Sequence, residues 1–503
     1  MQVPHRSEFF NQIASSDLSY TFSMGTNLNS THQAMATSEL LRNAFPKRVV
    51  TIDDLLEHKA EVSRPWSQTC WVPAAVYVRP STAEEVAEVL KIVARTGSKF
   101  AIRATGHNPN PGFGGVDETG VVIDLRDLDS KSINSDGILC AGAGSTWGDV
   151  YSFLEERDLT AVGGRETAVG LAGFLLGGGL GPFPSLHGIG ADGVRNFEVV
   201  LADGTIVNAN TDTNENLFRA LKGGGSNFGI VTRFDLVTYP LINIQYTINF
   251  YDPVDYKNII KATIQVQEYM ESDPKIGLFT NFRNDLIIVG MLYADCPAET
   301  PKAFDPFFKL TSLVNVMLPT TNGTISSLVK TLGQLHPPLP GKRAVATATT
   351  KVSSDLYADI YSMWRDSIKT LVAGVDLHFT IQPVTTSCVR AGEDSGGNTL
   401  GLQDVPQCWF VFTAEWTSDT VSDGDDTAIQ ETLVAIAEQA EKLAVEGELS
   451  LSYRSMTFAH SSQNVLRSYG TDNVKRLQDT AIEYDPKRLF QDQQNNGFLL
   501  RNV

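Results

Sequence analysis

Phe100-Ala-Ile-Arg-Ala-Thr-Gly-His-Asn108 is the stretch on which the reading of this chain turns. Its first four residues read as a buried strand. Ala104, Thr105 and Gly106 then form a turn of small residues that presents a single imidazole, His107. Small side chains let backbone N–H groups approach an anion closely, so a nucleophile stands beside a candidate phosphate site. Taken alone, a histidine after a glycine turn is an ordinary loop residue. About sixty residues later the chain reads Val162-Gly-Gly-Arg-Glu-Thr-Ala-Val-Gly-Leu-Ala-Gly-Phe-Leu-Leu-Gly-Gly-Gly-Leu-Gly181, eight glycines in twenty residues with no charge after Glu166. Interleaved apolar residues exclude a flexible linker. The segment reads as buried backbone wrapped around something flat or phosphorylated, with a glycine-rich turn pair in a packed core as the alternative.

Outward from these two segments, the totals narrow the class. At 503 residues the chain is long enough for two or more domains. Its 42% apolar and 19% charged residues are globular values. A net charge of −18 argues against a nucleic-acid partner. No apolar run is long enough to span a bilayer, so no membrane partner is expected. Arg6, Glu8 and Asp17 interrupt the first twenty residues, which lack the apolar core of a secretion signal. Cys70, Cys140, Cys296, Cys388 and Cys408 lack metal-ligand spacing, and five cysteines cannot all pair. A reducing, cytoplasmic location is the simplest expectation, with no metal.

Residues 1–37 read as a polar, irregular arm, and 1–60 together as that arm plus the first elements. Ser81, Thr82, Glu84 and Glu85 have capping-box spacing. They open a helix whose face is Val86, Val89, Leu90 and Val93, ended by Gly97. Strands follow at 100–103, 121–125 and 139–144, and Thr146 caps a further helix. Asp203-Gly204 signals a hairpin. After Pro240 the glycine-rich turns give way to longer strands (276–282, 286–292) and amphipathic helices (356–371, 429–443), with 408–416 alternating like a half-buried strand. A boundary is placed near 240. The tail at 461–503 reads as a return to the first domain.

These residues together carry a resemblance. Arg103-Ala-Thr-Gly-His107, Trp147-Gly-Asp-Val-Tyr151, Gly163-Gly-Arg165, Leu176-Gly-Gly-Gly179, Glu198-Val-Val-Leu-Ala-Asp-Gly204, Leu221-Lys-Gly-Gly-Gly-Ser-Asn-Phe-Gly-Ile-Val-Thr232 and Tyr484-Asp-Pro-Lys-Arg-Leu-Phe490 resemble the FAD-linked oxidoreductases of the vanillyl-alcohol-oxidase and berberine-bridge-enzyme type. The likeness is to fungal, 6-hydroxynicotine-oxidase-like members and is strong over 60–240 and good over 460–500. It implies an α+β fold: a two-lobed PCMH-type FAD-binding domain at 61–240, then a substrate domain at 241–460 with an antiparallel sheet backed by helices. It implies FAD held by Arg103, Ala104, Thr105, Gly106, His107 and Asn108, by Gly164, Val169, Gly170, Gly173, Gly177, Gly178 and Gly179, and by Gly229, Val231 and Asn495. His107 falls where the family attaches the flavin. Imidazole is a nucleophile, and the flavin supplies a redox centre that side chains lack.

Two departures narrow that implication. Glu166 stands where doubly attached members place a second cysteine, so a single bond through His107 is expected. Ser455-Met-Thr457 replaces a Tyr-x-Asn stretch, which removes the family's usual candidate base. The remaining candidates are Tyr453, His460 and Glu415, with Tyr453 first because a phenol beside Arg454 is expected to have a lowered pKa. Three readings stay open: an oxidase that passes hydride from a small secondary metabolite to flavin N5 and electrons to O2, a cyclase without net redox, and a non-catalytic carrier.

Overall fold

The structure, a computed structural model, describes residues 30–335 and 340–503. The arm expected over residues 1–29 lies outside that range, and the rest of it departs from expectation: Ser30–Ala44 is a helix that buries Ala34, Thr37 and Leu41. The capped helix Ala83–Thr96 forms as read. Thr82 Oγ1 accepts from the Glu85 N–H at 3.2 Å, and Glu85 reaches back to the Ser81 N–H at 2.8 Å. Gly97 closes it at φ +70°, left-handed backbone that favours glycine.

Helices and sheets are arranged as an α+β fold with three main sheets and a two-stranded pairing of Leu159–Thr160 with Tyr239–Pro240. The first lobe is a four-stranded sheet ordered Val49–Thr51, Val76–Val78, Gly120–Asp124, Lys99–Arg103. Its last three strands run parallel. The second lobe is a five-stranded antiparallel sheet of Lys131–Ile133, Leu139–Gly142, Ile230–Leu236, Val194–Val200 and Ile206–Ala209. The tail comes back to the first lobe: the Phe100 N–H donates to Gln493 O at 3.0 Å, and the Asn495 N–H donates to Phe100 O at 2.7 Å.

The third sheet has eight strands in the order Leu313–Gly323, Ile244–Tyr251, Ile287–Tyr293, Ile276–Phe282, Asp376–Val384, Gln407–Trp416, Lys342–Lys351, Ser450–Leu451. Alternation sorts its residues. Phe282, Phe379, Ile381, Phe410 and Phe412 pack in a core with the helices Tyr256–Met270, Ser354–Ile368 and Asp426–Glu446. Ile248, Phe279, Asn281, Thr380, Gln382, Val411 and Glu415 face the other way, into a cavity. Gln407–Trp416 is therefore not half-buried as its pattern suggested. It lies between two strands, covered on both faces, and only Glu415 along it is partly open.

All five cysteines are free. Burial pushes the Cys70 thiol up to about 11 and the Cys408 thiol up to about 12. In the native protein a small thiol reagent should therefore modify only Cys140 and Cys296, the two that retain exposed surface. Denaturation should raise the count to all five, and a denatured count of three would reveal a disulfide.

Candidate active site

Strand Lys99–Arg103 ends on a buried guanidinium. Arg103 Nε donates to Asp124 Oδ2 at 2.6 Å, and its terminal nitrogens donate to Glu61 Oε2 at 2.6 Å and to the Glu61 carbonyl at 2.9 Å. Arg126 shares both acids. The Arg103 guanidinium is thus held by two carboxylates. What it does is fix the point from which the turn departs.

Gly106 makes that turn at φ +75° and accepts the Trp66 N–H at 2.9 Å. His107 then stacks on the Trp66 indole, 4.4 Å between centroids and 15° from parallel. The Arg343 guanidinium lies over the same indole at 4.5 Å. Burial first, and the positive charge of Arg343 second, hold the His107 imidazole down at about 4. At pH 7 it is neutral, the form with a free nucleophilic lone pair. Asn108 is exposed, and its Oδ1 accepts the Asn110 N–H.

The glycine-rich segment is brought against this turn. The Val169 and Thr167 carbonyls accept the N–H groups of Trp147 and Gly148, and Leu171 N–H donates to Ser145 O at 2.9 Å. Gly170 presses on Thr105 so closely that a Cβ would fall 2.6 Å from Thr105 Oγ1. Gly164 accepts the Tyr151 hydroxyl at 2.9 Å. Gly173 is the contrary case: it is exposed on the short helix Leu171–Leu176, and a Cβ there would meet nothing within 4 Å. Gly177 lies against Thr457 and Met456, and the Gly178 and Gly179 carbonyls accept the N–H groups of Ala191 and Gly190. Ser145 Oγ and Trp147 Nε1 are buried beside this segment without a hydrogen-bond partner among the described residues. Such a group costs about 1–3 kcal/mol when left unmatched. Open glycine backbone and unmatched donors fit a flat, acceptor-rich cofactor.

The other residues expected at the cofactor divide. Asn495 Nδ2 donates to the carbonyls of Gly112 and Gly115, tying the tail to the loop after His107. Gly229 gives close packing on Val199 and the Val200 carbonyl, and Val231 is buried in its strand.

His107 opens into a cavity of about 900 Å³. Trp66, Arg165, Glu166, Arg343, Gln382 and Glu415 line it as well. Of the three candidate bases, Glu415 alone is there; it is 39% exposed and 3.8 Å from Arg343 Nε. Tyr453 is not among the lining residues. It is 2% exposed, wedged between Trp409 and Tyr469. Burial pushes its phenol up, against the expected lowering, because Arg454 turns away to Glu441 at 2.6 Å. His460 is also off the lining and is engaged by Ser462 and Gln430. Trp66, Arg343 and Gln382 had no motif to announce them, while Arg165 stood in view beside Gly163-Gly164.

Comparison with known proteins bears on the family and the fold. The family model of the FAD binding domain matches residues 74–210. An FAD-dependent monooxygenase of Arthrobotrys oligospora is 36% identical over 435 residues, which is 86% of this chain and 84% of that protein. The crystal structure of 6-hydroxy-D-nicotine oxidase from Arthrobacter nicotinovorans superposes with a TM-score of 0.75 at 19% identity, covering 89% of this chain and 97% of that one. Glucooligosaccharide oxidase from Acremonium strictum, described with a 6-S-cysteinyl, 8α-N1-histidyl FAD, gives a TM-score of 0.77 at 17% identity, covering 92% and 98%.

The two glycine environments predict opposite outcomes. Gly170→Ala should lower stability by about 1–3 kcal/mol, because the added methyl has no room against Thr105. Gly173→Ala should keep or slightly raise apoprotein stability, since alanine favours the helix, yet weaken FAD retention. Thermal unfolding of the apoprotein together with flavin content checks both.

Proposed function

This chain belongs to the FAD-linked oxidoreductases of the vanillyl-alcohol-oxidase and berberine-bridge-enzyme type, and from that premise we propose that it oxidises a small secondary-metabolite-type substrate in the cavity beside His107, with O2 as electron acceptor. The observation that carries this reading is the meeting of His107 and Glu415 in one cavity.

His107 is the proposed attachment point. Its neutral imidazole supports this, and so does Glu166, which offers no thiol for a second bond. Residues 104–108 with Gly164, Val169, Gly170, Gly173, Gly177, Gly178 and Gly179 would hold the cofactor, FAD, which would supply a two-electron redox centre able to accept hydride and pass electrons to O2. The protein's own part is proton transfer and positioning. Hydride leaves a carbon bearing O–H or N–H far more easily when that proton departs in step. Glu415 is the group placed to accept it, and Arg343 steadies the carboxylate from 3.8 Å. Ile248, Phe279 and Val411 give the substrate an apolar wall and exclude water from the reacting carbon.

Glu415→Gln should slow anaerobic flavin reduction by roughly 10²-fold or more and leave the flavin spectrum unchanged, whereas Tyr453→Phe should leave the rate within about twofold. Equal effects of the two replacements would remove Glu415 as the base. In the aerobic reaction one H2O2 should form for each substrate oxidised. Transfer of labelled oxygen into product would instead make the reaction the monooxygenation by which the Arthrobotrys relative is named. Turnover without flavin bleaching would point to redox-neutral cyclisation.

A further inference from the structure

The protein as a whole is strongly acidic, with a net charge of −18, but the cavity is not. Its lining carries Arg165, Arg283, Arg343 and Lys330 against two carboxylates, Glu166 and Glu415. Two of those cations are already matched: Arg283 pairs with Asp376, and Arg343 lies 3.8 Å from Glu415. Lys330, on the exposed side of helix Ile325–Leu335, stands at the rim.

Within the wall, away from the rim, Arg165 is the lining cation without a carboxylate partner among the described residues. Among the described residues no carboxylate lies within ion-pair distance of it; its hydrogen bond is to the neutral Gln382 Oε1. Burial pulls its guanidinium down to about 10, so it is still charged at pH 7. Arg165 is half-buried in the cavity wall; a guanidinium partly withdrawn from water without a counter-charge costs stability, and an anion reaching it there would offset that cost. The second observation is independent. Gln382 is 2% exposed and lines the cavity; its Oε1 is occupied by Arg165, and its Nε2 is buried with no partner. Two donors, the Arg165 guanidinium and the Gln382 Nε2 amide, thus stand in the wall joined through Gln382 Oε1, and neither is matched by a carboxylate among the described residues. A planar carboxylate accepts from both at once.

We propose that the Arg165–Gln382 pair is the recognition site for a carboxylate on the substrate. This rests on the reading that the cavity beside His107 is where substrate binds. Holding the acid group on Arg165 leaves the remainder of the molecule against Ile248, Phe279 and Val411, on the side where Glu415 is presented. The proposal makes the substrate an acid with an apolar body, and Arg165 a specificity-determining residue rather than a proton carrier. Lys330 at the rim would favour entry of such an anion.

The test uses holoenzyme and three small carboxylates, benzoate, phenylacetate and cinnamate, each beside its neutral amide. Binding is read as a perturbation of the flavin absorption spectrum. At least one carboxylate should bind about tenfold or more tightly than its amide. Arg165→Met should weaken that carboxylate by about tenfold or more, leave the amide unchanged, and leave the ligand-free flavin spectrum unchanged. Gln382→Glu, which places an acid of the same size beside Arg165, should abolish the preference and keeps the test alive should Arg165→Met fail to fold. No preference for any carboxylate in the wild type would overturn the proposal. So would an Arg165→Met protein that shifts the ligand-free spectrum and binds carboxylates as before, because the guanidinium would then serve the flavin. Neither result bears on whether Glu415→Gln slows flavin reduction, so failure here is separable from failure of the oxidation reading itself.

Discussion

The buried ion network of Arg103 is the constraint on which the site depends. Glu61 comes from helix Leu55–Val62, Asp124 from the end of strand Gly120–Asp124, and Arg103 from the end of the neighbouring parallel strand. Three elements are locked at one point, with distances of 2.6 Å on both carboxylates. Removing one member of such a group typically costs about 3–5 kcal/mol. The turn to His107 starts from this anchor. Because the anchor is fixed, the turn delivers the imidazole onto Trp66 and its Thr105 side chain under Gly170.

A second constraint comes from the far side. The eight-stranded sheet must bury one face against helices, so alternation commits its other face to the cavity. Residues far apart in the chain then meet the first domain there: Ser67 and Trp66 are bound by Arg343, and Arg165 is bound by Gln382. Apolar positions shape the wall. Of the lining cations, Arg283 and Arg343 face a carboxylate, and among the described residues Arg165 and the rim Lys330 do not. The sheet face carries side chains that line the cavity together with His107.

Much of the two lobes before residue 240 was legible because their signals are local. A capping box, a left-handed glycine and a glycine-interleaved apolar run each act within a few residues of themselves, and the turn at His107 is of this kind. The cavity was less legible because its contacts are long-range. Arg343 meets Trp66 across 277 residues and Gln382 meets Arg165 across 217, and no motif spans either gap. Tyr453 shows how sequence proximity misleads. It adjoins Arg454, but the guanidinium is taken by Glu441 on helix Asp426–Glu446, and the phenol is left in an aromatic pocket. Strand Gln407–Trp416 misled in a milder way: a central strand covered on both sides carries small and polar residues without being exposed.

The central claim is that the anchored turn makes His107 the attachment point of the flavin. Peptide mapping of the purified holoenzyme by mass spectrometry tests it most directly. The account predicts that the proteolytic peptide containing His107 carries the mass of the flavin, that no second peptide does, and that acid precipitation leaves the yellow colour with the protein. An unmodified His107 peptide, with all flavin released into the acid supernatant, would contradict it.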